Sequence, residues 1–166
     1  RAINRAASGE PGFRRIQRVA GLAGDTWAQR IDQDAAELMR RTGQHDGLAE
    51  AGRVDAWGSD LSFDVVKIDA EGEDWEALKG AWGRIRRGRD MAIVLEHSRG
   101  LFAQRWLDEG KGEPADYESA QWAWLHAEGL SAYSIEHDGS LELLHLDRVQ
   151  AFPHRHWHVA LLEAPR

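Results

Sequence analysis

A chain of 166 residues with 42% hydrophobic content has the length to bury one core of ordinary size. Its net charge of -7 argues against a nucleic-acid binder with a broad basic surface. The absence of cysteine excludes a disulfide scaffold and thiolate-held zinc or iron–sulfur centres. No run of about 18 apolar residues occurs, so no membrane helix is expected. The opening Arg1-Ala-Ile-Asn-Arg5 lacks the apolar segment of a signal peptide, and a cytoplasmic protein is the expectation.

Residues 1–53 read as a lead-in holding one βα unit and a loop. Ile16 to Ala20 suits a short strand, and Gly21-Leu-Ala-Gly24 a turn. Asp25 reads as an N-cap, with Trp27, Ile31, Ala35, Leu38 and Met39 at helical spacing and Gly43 as the stop. A strand, a glycine turn and a helix can cradle a phosphate or nucleotide. Only about 45 residues separate Gly24 from Asp69, however, too few for two further βα units of roughly 15–30 residues each. The stretch therefore reads as an ordinary βα turn. Gly43, Gly47, Gly52 and Gly58 among charged residues mark a loop, with Val54 to Trp57 as an extended lead-in. Phe63 to Ile68 is nearly all apolar, the mark of a strand buried in a parallel sheet. Trp75, Leu78, Trp82 and Ile85 then define one helix face, and Arg84, Arg86, Arg87 and Arg89 suit the negative end of its dipole. Met91 to Leu95 is the next strand, and a polar loop leads to a helix over Tyr117–Glu128, closed by Gly129. Ser131–Glu136 and Leu141–Leu144 flank His137-Asp-Gly-Ser140, a strong hairpin signal, and His156 to Leu162 supplies the last strand.

The stretch Phe63-Asp-Val-Val-Lys-Ile-Asp-Ala-Glu-Gly-Glu-Asp74, the pair Leu78 and Gly80, and Ile93-Val-Leu-Glu96 resemble the FkbM-type methyltransferases. The segment Glu128-Gly-Leu-Ser-Ala-Tyr, followed by Asp138-Gly139, looks like the late hairpin of that family, so the likeness spans residues 54–166. The resemblance implies an α/β fold: the C-terminal portion of a Rossmann-like sheet, parallel except for an antiparallel last strand and hairpin. It implies S-adenosyl-L-methionine as cofactor and a small-molecule hydroxyl acceptor, on a sugar or secondary metabolite. It also makes strand 63–68 the fourth of seven, with Asp69 beside the methyl donor and the acceptor. The family's glycine-rich first-strand loop and ribose-gripping acid have no counterpart in this chain, so the cofactor-binding residues are unassigned. The chain is accordingly expected to be an incomplete domain, prone to self-association through the exposed edge of strand 63–68.

In an α/β protein, residues just past the carboxyl ends of strands line the ligand crevice, which singles out Asp69 and Glu71. Alternation puts Lys67 on the same face as Asp69. A lysine inside a covered strand requires an acidic partner, with Glu96 the natural choice, or must snorkel to the sheet edge. Glu71, Glu73 and Asp74 also suit a helix N-terminus, where carboxylates cap free N–H groups. Methyl transfer to oxygen depends on positioning and on removal of the acceptor's proton, for which Glu96 and His97 are the candidate bases. A divalent cation could bridge Asp69 and Glu96, and with Glu71 these carboxylates also fit a metal-dependent hydrolase. His154, His156 and His158 share a face, but side chains two apart on a strand lie about 7 Å from each other. That is too far for three to hold one ion unless the backbone bends. A non-catalytic α/β binding module remains the alternative to an enzyme.

Overall fold

The alternation of apolar and polar residues is what organises this chain, and the computed structural model shows which alternations become strands. It describes residues 6–8, 10–18, 26–43, 47–57, 63, 65–70, 72–86 and 92–163. Expectations on Gly21–Gly24, Asp25, Gly58, Glu71, Arg87, Arg89 and Met91 fall outside the described residues. The chain divides into two units, Arg1–Ser62 with Trp75–Arg89, and Phe63–Asp74 with Asp90–Arg166. No helix among the described residues is long and apolar enough to cross a membrane.

The first unit holds β1 (Ala6–Ala7), β2 (Gly12–Arg18), β3 (Thr26–Ile31), α1 (Gln33–Arg41) and β4 (Leu48–Gly52), with a 3-10 turn at Val54–Ala56. Its sheet has the order β1-β4-β2-β3; β2 is antiparallel to both neighbours and β1 parallel to β4. The long helix expected from Asp25 is therefore a strand followed by a shorter helix. Trp27 and Ile31 are four apart, a spacing that satisfies period 2 as well as period 3.6. Six residue pairs with β2 settle the choice in favour of strand. The helix instead starts where Asp32 accepts from the Ala35 N–H at 2.6 Å. The loop expected over 43–60 likewise contains β4, and Val54–Ala56 is a 3-10 turn rather than extended. Gly83 lets that turn come close, since a Cβ there would meet Asp55 Oδ2 at 3.1 Å.

The second unit carries β5 (Val65–Ile68), followed by α2 (Asp74–Ile85), whose residues from Trp75 onward belong to the first unit. Trp75, Leu78 and Ile85 of that helix are buried, as their spacing requires. Then come β6 (Ala92–Ser98), α3 (Arg99–Asp108), α4 (Pro114–Ala127), β7 (Leu130–Ile135), β8 (Leu141–Leu143), α5 (Leu146–Ala151) and β9 (His156–Glu163). The sheet order is β5-β6-β9-β7-β8. β5 and β6 are parallel, β9 is antiparallel to both β6 and β7, and β8 is antiparallel to β7. β6 and β7 thus run the same way, with one reversed strand between them. The result is an α/β unit with a mixed sheet. β6 runs on through Glu96–Ser98, where a strand tip was expected, and α3 fills much of the expected polar loop.

One face of this sheet is the core. Ile93, Leu95, Trp157, Val159, Leu161 and Ala132 are buried there, and α4 packs on β7, α3 and α5. Each fully buried large apolar side chain contributes about 1.5–3 kcal/mol. On the other face the apolar residues Leu141, Leu143 and Leu162 stay exposed, as do His156 and His158. β5 is the outermost strand, which explains why Val65 is 65% exposed although its sequence reads as buried.

Candidate functional site

The parallel strands β5 and β6 end on one edge, where the antiparallel β9 begins. Ile68 pairs with Leu95 and Ser98 with His156, so Asp69, Glu96, Ser98 and His156 gather at the carboxyl ends of the strands. This is the edge at which α/β sheets bind ligands.

Lys67 does find an acidic partner: its Nζ lies 2.8 Å from Asp69 Oδ2. The hydrogen bond and charge of Asp69 raise the ammonium above its ordinary range, with Glu96 and Asp74 adding to the effect. The partner is Asp69 rather than Glu96, the natural choice by sequence, and both side chains are exposed, as the snorkelling alternative requires, rather than enclosed in a covered strand.

Beyond Asp69 the chain turns sharply, and Asp74 holds the turn together. Its carboxylate accepts from the backbone N–H groups of Ala70 at 3.0 Å and Gly72 at 3.1 Å. Burial pushes the Asp74 carboxyl above the ordinary carboxylate range, and the nearby Glu96 charge acts the same way; the backbone hydrogen bonds oppose them. Gly72 has φ +93°, and a Cβ there would meet the Leu101 backbone at 3.0 Å, so the turn sits directly against α3. Asp74 thus has the helix-start role its position suggests.

Glu96 and His97 were both expected to serve as bases, but as neighbours in one strand they point to opposite faces. His97 is 1% exposed on the core face, with its Nε2 3.3 Å from Glu118 Oε1. Its ring lies against Phe102 and Trp122. Arg99 also donates to Glu118, through Nε at 2.9 Å and through a second guanidinium nitrogen. Burial acts to raise the Glu118 carboxyl, but hydrogen bonds and charge from His97 and Arg99 outweigh it and hold the group below the ordinary range. His97 is therefore corrected to a core residue that anchors α4, and it does not share a site with Glu96.

The imidazole that meets Glu96 is His156, across the sheet on β9. His156 Nδ1 lies 2.9 Å from Glu96 Oε1, and Nε2 lies 3.2 Å from Ser98 Oγ. An ionised carboxylate only accepts, so a neutral His156 that donates to Glu96 through Nδ1 presents Nε2 as an acceptor toward the serine O–H. Sequence reasoning grouped His156 with His154 and His158 and missed this contact, which depends on the pairing of residues 58 positions apart. The available signal was the i, i+2 spacing of Glu96 and Ser98, which puts them on one face. A pocket of about 440 Å³ adjoins His156, bounded also by Val94, Ile135, His137, Arg155 and His158. Among the described residues no group of three or more potential ligands is placed to hold a metal ion.

Comparison of the chain with protein-family models, with curated proteins and with solved structures finds no match.

Proposed function

We propose that the chain belongs to an S-adenosyl-L-methionine-dependent O-methyltransferase of FkbM-like type, acting on a hydroxyl of a sugar or secondary metabolite. The observation that carries this reading is the strand order β5-β6-β9-β7, with β9 alone reversed among the four. A sheet that is parallel except for a reversed last strand is what the resemblance implies for the second half of such a domain. The carboxylates Asp69 and Glu96 lie at its ligand-binding edge, where their charge suits the cationic sulfonium of the cofactor. When bound, the cofactor supplies an electrophilic methyl group. The chain's own part is on the acceptor side: Asp69 orients the hydroxyl, and Glu96 fixes the His156 tautomer whose Nε2 can take its proton. His156 thus replaces His97 as the histidine of the reading. The adenosine- and ribose-holding residues are not identified among the described ones.

The test is calorimetry with S-adenosyl-L-methionine on the chain and on a version extended upstream, followed by transfer of a labelled methyl group to hydroxyl acceptors. Binding by the extended version, with transfer reduced by Asp69→Asn, is the expected result. Failure of both versions to bind overturns the reading in favour of a non-catalytic α/β module.

A further inference from the structure

The chain Glu96 Oε1–His156 Nδ1 (2.9 Å) and His156 Nε2–Ser98 Oγ (3.2 Å) has a consequence beyond methyl transfer. We propose that Ser98 is a nucleophile toward small carboxylic esters, activated by His156, with Glu96 orienting the imidazole. Nucleophile, base and orienting acid are recognised by mutual geometry and role rather than by order in the chain, and all three roles are filled here.

Three further features support this assignment. Ser98 is the last residue of β6 and α3 begins at Arg99, so the hydroxyl stands at a strand-to-helix corner. The first N–H groups of a helix have no acceptor within it and carry the positive end of the dipole, which suits an oxyanion forming beside Ser98. Ser98 itself is 5% exposed, whereas the His156 side chain is 56% exposed and borders the pocket. Substrate therefore approaches over the imidazole, with its acyl group toward Val94 and Ile135.

In the first step the Ser98 Oγ–carbonyl carbon bond forms, the Oγ proton passes to His156 Nε2, and the carbonyl π pair moves to its oxygen. Collapse restores the carbonyl and breaks the bond to the alkoxy oxygen, which leaves with the proton from Nε2. Water then attacks the acyl-serine by the same route and releases the carboxylic acid. No methyl donor takes part, so this activity and the methyltransferase reading stand or fall separately.

The test is treatment of the whole chain with a fluorophosphonate, which forms a phosphorus–Oγ bond and expels fluoride, with the site mapped by mass spectrometry. Turnover of p-nitrophenyl acetate is followed in parallel. Ser140 provides an internal control, because its Oγ bonds the Asp138 carboxylate at 2.6 Å rather than an imidazole. The expected result is an adduct on Ser98 and none on Ser140, with ester turnover abolished by Ser98→Ala. His156→Ala should slow labelling about 100-fold, with the unfolding midpoint measured to establish that the variant is folded. No adduct on Ser98, equal labelling of Ser98 and Ser140, or an unchanged rate in folded His156→Ala overturns the proposal.

Discussion

Replacing Glu118 by alanine removes the anion that holds the covered face of the second sheet together. Its side chain has no exposure and receives His97 Nε2 at 3.3 Å and Arg99 Nε at 2.9 Å. The variant leaves His97, 1% exposed, and Arg99 facing an empty site without their acceptor. Removing one partner of a buried charge pair costs about 3–5 kcal/mol. At about 2–4 °C per kcal/mol for a chain of this size, the midpoint read by near-ultraviolet circular dichroism should fall by roughly 6–20 °C. Glu118→Gln keeps the volume and one acceptor but loses the charge, so its cost should be smaller, about 1–2 kcal/mol. The pH dependence has a definite sign. Because the folded carboxyl lies below its ordinary range, folding favours the ionised form. Its contribution is complete above the ordinary carboxylate range and disappears as pH falls through the lowered folded value. The gap between wild type and Glu118→Gln should therefore narrow between pH 7 and about pH 3. A midpoint shift under about 2 °C for Glu118→Ala, or a gap that does not change with pH, refutes this account of the cluster.

Gly139 and Gly72 both need a left-handed backbone, φ +81° and +93°, but only Gly72 has a neighbour in the way, the Leu101 backbone 3.0 Å from an added Cβ. Gly139→Ala should cost about 1–2 kcal/mol in urea unfolding and Gly72→Ala clearly more; the reverse order refutes the packing of the turn on α3. Lys67→Met should leave the thermal midpoint unchanged, because its ion pair with Asp69 is solvent-exposed. A fall of several degrees contradicts that placement.

The elements legible in the sequence are those whose signal is local. Asp138-Gly139 between two apolar runs specifies the β7–β8 turn, and the structure bears it out with Asp138 Oδ1 accepting from the Ser140 N–H at 2.9 Å. Trp75, Leu78 and Ile85 declare the buried side of α2 through spacing alone. What sequence could not decide depends on distant partners. Residues 26–31 are strand only because β2 pairs with them, and the spacing of Trp27 and Ile31 fits either structure. Val65 and Lys67 lie in an apolar run yet stay exposed, because exposure depends on whether β5 has a second neighbour in the sheet. The site divides the same way. Asp69 follows from its place just past β5, and Glu96 is reached from an expected strand tip that the structure instead carries on to Ser98, whereas His156 is visible only once β9 is laid beside β6.

Strand β6 explains why core and site depend on each other. Ile93, Leu95 and His97 project to the face where α3 and α4 pack, and Val94, Glu96 and Ser98 to the face where His156 lies. A slip of one residue against β9 would exchange these sets, burying Glu96 and exposing Leu95. Six pairs with β9, from Ile93↔Leu161 to Ser98↔His156, resist that slip. The His97–Glu118–Arg99 cluster resists it further, since its hydrogen bonds reach from the end of β6 and the start of α3 to α4. A polar cluster on the covered face thereby fixes the position of Glu96 and Ser98 on the other. His97 affects the site by locking the register of β6, and weakening its contacts should blur the Glu96–His156–Ser98 geometry without touching any of the three residues.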